Sequence, residues 1–383
     1  MSNTYFNLKV AEITKETADT ITLHLEQPTQ ERITYIPGQF LTLILPIKGS
    51  KVRRSYSLSS TTEEPHLSVT VKRVPGGLVS NYLLDNARVG QEIEIMAPLG
   101  NFNLPPDASQ KRHIYLFGAG SGITPLMSML KAVLTNEPQS RVTLVYGSRN
   151  EESVIFKDQL QKLEEQYPNR LAVEHVFSQP KSGQQGGGFG KLLGGLFGKK
   201  AAAQPSENVH KHTGRLNRSM ILRILEERKA PEFTEELYYM CGPDGMMQEV
   251  QAALQMLKVP AEKIFKESFV TATAGAEEPN KGQTSVADSD EITTQTVTLI
   301  YEGTEYQVDV KPDTTILEAG LKADIDLPYS CQAGLCTACR GKAISGKVHL
   351  DEREGLSDTE IEQGYVLCCV GHPLTPDVVI EIG

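Results

Sequence analysis

The chain has 383 residues, of which 39% are hydrophobic and 22% charged, and a formal net charge of −10. That length exceeds one typical core and suits two or three domains, while the acidic balance argues against nucleic-acid binding, which wants a basic face. Nine of the ten net charges fall in residues 293–383, where 15 Asp/Glu outnumber 6 Lys/Arg; such a surface either steers toward a basic patch on a partner protein or simply keeps the domain soluble.

The opening MSNTYFNLKVAEIT has no apolar core of signal-peptide length. No run approaches the roughly eighteen apolar residues of a membrane span. The expectation is a cytoplasmic chain with no stable membrane association. Residues 6–105 then read as short alternating strands (FNLKVAEI, TITLHLE, QFLTLILPI, HLSVTVKRV, QEIEIMAPL) between polar turns, the pattern of an antiparallel barrel. Within it, Arg54-Ser55-Tyr56-Ser57 closes a strand. An Arg there can hold a pyrophosphate, a Tyr can lie along a flavin ring, and a Ser hydroxyl can reach the ring nitrogen that accepts hydride. Further on, Pro75-Gly76-Gly77-Leu78-Val79-Ser80 sets small residues before a predicted helix at 81–84, whose first N–H groups suit phosphate.

Near residue 112 the rhythm changes to strand–helix alternation, which predicts a parallel α/β sheet ending near Phe269. Its strands are HIYLFG, RVTLVYG, LAVEHVF and LYYMCG, with helices expected over PLMSMLKAVL, SVIFKDQLQKLEEQ and MMQEVQAALQML. The first strand runs into Gly118-Ala-Gly120-Ser121-Gly122-Ile123-Thr124-Pro125. Thr124 is the expected N-cap and Pro125 the first helical residue, so a dinucleotide phosphate would meet backbone donors and a helix dipole. The second strand ends in Ser148-Arg149, which suits the 2′-phosphate of NADPH, although Glu151 and Glu152 nearby leave NADH possible. Residues 180–210, including KLLGGLFGKK, read as a flexible insertion or, less simply, a short membrane-surface helix. The last strand ends Cys241-Gly242-Pro243. A strand end of this kind lines the ligand crevice, so Cys241 either faces the nicotinamide or is a buried structural cysteine.

Residues 271–292 have linker composition. The final domain opens with TVTLIYEGTEYQVDV, a strand–turn–strand pattern with Glu302-Gly303 at the turn. Five of the six cysteines fall in the last 53 residues. Cys331, Cys336 and Cys339 with a remote fourth give the C-x4-C-x2-C…C spacing of a plant-type [2Fe–2S] cluster; paired zinc-knuckle spacing does not match. Of the adjacent Cys368 and Cys369, successive strand residues point oppositely, so both cannot easily ligate. Gly364-Tyr-Val-Leu-Cys368-Cys369 resembles the ferredoxin ending in which Thr or Ser precedes the ligand, with the family's usual 29 intervening residues after Cys339; the resemblance implies Cys369 as the ligand and Cys368 as a small buried residue or spare thiol.

RSYS, GGLVS, GAGSGITP and CGPDGM, in that order, resemble the ferredoxin–NADP reductase superfamily over residues 5–270, and residues 293–383 resemble plant-type ferredoxins. Reductase first and ferredoxin last is the arrangement of oxygenase reductases. The resemblance implies three domains: an antiparallel β-barrel for FAD (1–107), an α/β parallel-sheet nucleotide-binding domain (108–270), and, after the linker, an α+β β-grasp ferredoxin domain (293–383). It implies Arg54, Ser55, Tyr56, Ser57, Val71, Lys72, Gly76, Gly77, Leu78, Val79 and Ser80 on FAD, with Phe269 stacked on the flavin. Gly120 to Pro125, Ser148, Arg149, Cys241, Gly242 and Pro243 fall to NADPH, with Ser57 and Cys241 at the hydride. The cluster passes electrons to an oxygenase partner, either a di-iron enzyme acting on phenylacetyl-CoA or a Rieske-type ketosteroid hydroxylase. A non-enzymatic redox carrier or sensor is the competing class. A plant-type cluster near about −400 mV makes the last internal step uphill unless N–H donors or Thr337 raise its potential.

Overall fold

The computed structural model describes residues 5–180, 209–233, 235–269, 293–332, 334, 336–353, 355–356 and 358–382. The linker at 271–292 and the insertion through residue 208, with its KLLGGLFGKK segment, lie outside the described residues. The chain forms two compact units: residues 1–14, 22–104 and 267–383 make one, and residues 15–21 and 105–266 the other.

In the first unit, the N-terminal part holds strands β1 (Tyr5–Thr17) and β2 (Thr20–Glu26), whose residues 15–17 and 20–21 are counted with the second unit, β3 (Phe40–Ile47), β4 (Ser50–Ser57) and β5 (His66–Lys72), helix α1 (Leu78–Asn86) and strand β6 (Glu92–Leu99). They form one six-stranded sheet in the order β4-β3-β6-β1-β2-β5. A bridge between Leu58 and Val69 joins the two edge strands and closes the sheet into the expected barrel. Its core is aliphatic, with Val10, Leu23, Leu43, Leu67, Val69 and Ile95 fully buried. Helix α1 starts three residues earlier than the sequence predicts and ends two later. Val79 and Leu83, one turn apart, bury its inner face and stabilise both ends.

The second unit holds β7 (Arg112–Ala119), α2 (Ile123–Asn136), β8 (Arg141–Ser148), α3 (Lys157–Gln166), β9 (Leu171–Phe177), β10 (Val209–Thr213), α4 (Arg218–Glu227), β11 (Glu235–Cys241), α5 (Asp244–Met256) and β12 (Ile264–Glu267, whose last residue is counted with the first unit). The sheet order is β10-β9-β8-β7-β11-β12, and the pairings from β10 through β11 are parallel. Strands buried on both faces need apolar runs, which is why HIYLF and LAVEHVF read as continuous. Two expectations are corrected. The insertion does not reach residue 210, because Val209 already pairs with Val173 and adds an edge strand. The segment SVIFKDQLQKLEEQ is not one helix: a 3-10 turn spans Glu151–Ser153, and Phe156, at φ 59°, breaks the chain before α3.

The C-terminal part of the first unit has β13 (Gln295–Tyr301), β14 (Thr304–Val310), α6 (Ile316–Lys322), β15 (Arg340–Ser345), β16 (Val348–Leu350), α7 (Asp358–Glu362), β17 (Tyr365–Leu367), β18 (Gly371–Pro373) and β19 (Val379–Ile382). A five-stranded sheet, β14-β13-β19-β15-β17, packs against α6, and β13 runs parallel to β19. This is the expected α+β domain. Glu302 and Gly303 form the two-residue hairpin with φ of 49° and 76°, the positive values a type I′ turn requires.

Candidate functional site

The flavin-side residues gather in the first unit. Along β4, Arg54 and Tyr56 stand on one face and Arg53 and Ser55 on the other. Arg54 Nη1 donates to the Arg53 carbonyl at 3.0 Å, and burial pushes the Tyr56 hydroxyl up from its ordinary value. Ser55 is placed differently from its neighbours: its hydroxyl lies 3.1 Å from Thr42 Oγ1 and donates to Ser330 Oγ at 2.8 Å. Val71 is fully buried, whereas Lys72 is partly exposed.

The loop before α1 is laced together. The Val74 N–H donates to Ser80 Oγ at 3.1 Å, and Asn81 Nδ2 donates to the carbonyls of Val74 and Gly77. Gly76 sits at φ 72°, and a Cβ on Gly77 would lie 2.8 Å from Ser80 Oγ. The N-terminus of α1 has Gly77 as N-cap, no capping side chain and no acidic residue in its first turn. First-turn N–H groups without a capping side chain can receive an anion such as a phosphate.

One residue that belongs to no motif completes this side. Ser57, 4% exposed, hydrogen-bonds to the carboxyl of Glu267. The stem of Glu267 is partly open, but its carboxyl tip is sealed and Oε2 has no partner. Burial pushes this carboxyl up to about 8 against the pull of the Ser57 hydrogen bond. A buried acid with an orphaned oxygen beside the serine assigned to hydride is what a polar ring would complete. Two residues on, Phe269 is 40% exposed, an uncovered aromatic that suits stacking on a flavin. Sequence reasoning missed Glu267; the only clue was its place two positions before Phe269 in the closing strand.

The nucleotide side lies in the second unit. The chain enters the sheet at β7, winds outward to β10, and returns on the other flank at β11, so the strand order reverses between β7 and β11. That is the topological switch point where open α/β sheets bind ligands. Cys241 pairs in register with Gly118, which brings the Gly-rich turn and the Cys241-Gly242-Pro243 turn together. The turn is tighter than expected. Gly120–Gly122 form a 3-10 turn, α2 begins at Ile123, and Gly122 rather than Thr124 is the N-cap. Thr124 Oγ1 donates to the Ser121 carbonyl at 2.9 Å, and Pro125 is the third helical residue. Proline fits there because first-turn N–H groups have no helical acceptor. The helix again lacks a capping side chain and an acidic first turn, which fits an anion.

Gly122 is required for contact. A Cβ there would overlap the Cys241 carbonyl oxygen. Gly122→Ala is expected to destabilise the second unit by about 1–3 kcal/mol and to raise the KM for NADPH while flavin absorbance is retained. Steady-state kinetics with an absorbance spectrum check both. Cys241 itself is fully buried. Arg149 is 57% exposed and its Nη2 pairs with Asp19 Oδ2 at 3.0 Å, while Glu151 is engaged by Lys211 at 2.6 Å.

The four assigned cysteines converge. Cys331 lies in hydrogen-bonding reach of both Cys336 and Cys369, and Cys369 also reaches Cys339. The thiols of Cys331 and Cys339, with burial, push Cys369 well above its ordinary value; Cys331 and burial do the same to Cys336. Four thiols so close repel one another as bare thiolates, and iron supplies the missing positive charge. Backbone N–H groups of Cys331 and Ala338 point at the Cys336 sulfur, and that of Gly334 at Cys369. Donors to sulfur of this kind raise a cluster's potential. Gly334 sits at φ 69°, and a Cβ there would lie 2.8 Å from Glu352 Cβ. Cys368 is buried, and its backbone N–H donates to the Cys339 carbonyl at 3.0 Å.

Family models of the oxidoreductase FAD-binding domain, the oxidoreductase NAD-binding domain and the 2Fe-2S iron-sulfur cluster binding domain match residues 7–104, 116–189 and 299–374. The chain is 33% identical to a component of the 1,2-phenylacetyl-CoA epoxidase of Escherichia coli (strain K12), over 99% of this chain and 98% of that protein. It is 34% identical to the ferredoxin reductase component of 3-ketosteroid-9-alpha-monooxygenase of Rhodococcus rhodochrous, over 98% of this chain and 96% of that one. Among solved structures, phthalate dioxygenase reductase matches with a TM-score of 0.56 at 23% identity, covering 99% of this chain and 98% of its own.

Proposed function

Since this chain belongs to the ferredoxin–NADP reductase superfamily, as an oxygenase reductase with a C-terminal plant-type ferredoxin domain, we propose that it feeds electrons to a phenylacetyl-CoA epoxidase of the di-iron type. The activity is that of an oxidoreductase: electrons pass from NAD(P)H through FAD and a [2Fe–2S] cluster to an oxygenase. FAD supplies the conversion that this needs, because it takes a hydride as a pair and releases electrons one at a time.

The chain's own residues supply placement. Arg54 and the uncapped end of α1 hold the pyrophosphate, Tyr56 and Phe269 hold the ring, and Ser57, oriented by Glu267, addresses the hydride-accepting edge. The turn at Gly120–Gly122 and Arg149 hold the phosphates of NADPH, and Cys241 closes the strand end beside the nicotinamide. The observation that carries the reading is the gathering of Cys331, Cys336, Cys339 and Cys369 in a chain whose other parts are built for flavin and nucleotide. Full-length similarity to the epoxidase component supports the choice of acceptor. The acidic 293–383 segment suits a partner with a basic docking patch.

The near-equal identity to the ketosteroid monooxygenase component favours a second reading, reductase to a Rieske-type hydroxylase. NADPH-driven turnover with each purified oxygenase decides between them: coupling to the epoxidase alone supports the first, and coupling only to the hydroxylase overturns it. Cofactor choice is tested at Arg149. Arg149→Ala is expected to raise the KM for NADPH about tenfold, one charge-assisted phosphate contact, and to leave NADH kinetics unchanged.

A further inference from the structure

Strand β4 does not devote both faces to flavin. Arg53 and Ser55, on the face away from Arg54 and Tyr56, reach the loop that carries the cluster ligands. Ser55 Oγ donates to Ser330 Oγ at 2.8 Å, and Ser330 directly precedes Cys331. Arg53 Nη2 pairs with Asp326 Oδ1 at 3.0 Å. The same guanidinium lies 4.5 Å from the ring centroid of Tyr329 and 5.7 Å from that of Tyr5. A second tie lies beyond the other end of the loop. Asn101 Nδ2 donates to Glu360 Oε1, which also receives Arg340 Nη1 at 2.8 Å, and Arg340 directly follows Cys339. The cysteine loop is thus held to the barrel on both sides.

These ties are unequal. An exposed ion pair fixes little, but the Arg53 side chain is only 10% exposed and is stacked on rings from both partners. Its planar fork addresses a carboxylate and an aromatic face at once, which Lys does not.

We propose that Arg53 is a positioning residue that registers the cluster loop on the flavin-binding strand and thereby sets the rate of flavin-to-cluster electron transfer. Each crossing moves one electron from reduced flavin to oxidised cluster. Two crossings return the pair that NADPH delivers as hydride, and the proton leaves to water; Arg53 is unchanged. The proposal rests on the electron-transfer reading above, and electron transfer falls steeply with distance, so small errors of docking are costly.

The test uses full-length holoprotein carrying Arg53→Glu, Asp326→Arg, the double exchange, and Asp326→Asn, whose exposed site makes it the mildest change. Stopped-flow absorbance reads flavin bleaching by NADPH, freeze-quench EPR reads cluster reduction, and amide hydrogen exchange reads residues 326–330. The single charge reversals are expected to slow cluster reduction about ten- to 100-fold, leave flavin bleaching unchanged, and speed exchange at 326–330. Asp326→Asn should do so more weakly, and the double exchange, which restores the ion pair but not the stacking on Tyr5 and Tyr329, should recover part of both readouts. Cluster reduction within about twofold of wild type in the reversals, equal slowing of both steps, or no recovery in the double exchange each overturns the proposal. If wild-type flavin is not bleached by NADPH, the electron-transfer reading itself falls, and exchange at 326–330 still decides whether Arg53 docks the loop.

Discussion

Cys369→Ser is expected to abolish the cluster, while Cys368→Ala keeps it. In the folded chain the Cys369 thiol reaches those of both Cys331 and Cys339, whereas Cys368, buried in the same apolar core, has Cys339 as its thiol neighbour and donates its backbone N–H to the Cys339 carbonyl. Iron and labile-sulfide assays read cluster content directly. Cys369→Ser protein should still reduce ferricyanide with NADPH, since that acceptor takes electrons from flavin, but should no longer drive an acceptor served by the cluster. Cys368→Ala loses one buried sulfur and should cost stability without changing the EPR signature. A cluster that survives in Cys369→Ser and disappears in Cys368→Ala reverses the assignment.

The second large effect is a pH dependence centred on Glu267. Burial raises its folded pKa to about 8 from an unfolded value of 4.5. Below about pH 4.5 both states hold the proton and the group adds no slope. Between those values the folded state holds more protons, so stability falls as pH rises. The slope approaches about 1.36 kcal/mol per pH unit, and the whole loss is on the order of 5 kcal/mol once pH passes 8. Glu267→Gln keeps the shape and the Ser57 contact but cannot ionise. Its unfolding midpoint, followed by release of flavin fluorescence, should therefore gain on wild type steadily from about pH 5 to 8. Parallel curves across that range contradict the buried, protonated acid.

The local features were readable because each is written in consecutive residues. The Cys331–Cys339 loop, the glycines at 118–122 and the Glu302-Gly303 hairpin all place their chemistry within one turn of chain, where spacing and positive φ constrain residue type. Thr124 misled for the same reason: Ser/Thr before Pro is a strong cap signal, but the 3-10 turn at Gly120 moved the helix start to Ile123 and left the hydroxyl bonding Ser121. Strand β10 was obscured because its five residues follow a glycine-rich insertion and pair only with an already formed β9.

From the amino-acid order alone came the three-part architecture, the kinds of cofactor and the close trio Cys331, Cys336 and Cys339, since these depend on periodicity and short-range spacing. Only the folded chain shows Glu267 beside Ser57, Cys369 within reach of Cys331 and Cys339, and Arg53, beside Arg54, on the cluster loop. Those pairings join residues far apart in the chain, 210 positions in one case and 273 in another. Which face of a strand a side chain occupies, and what is packed against that face, is set by burial and hydrogen bonding across the whole core rather than by any local pattern.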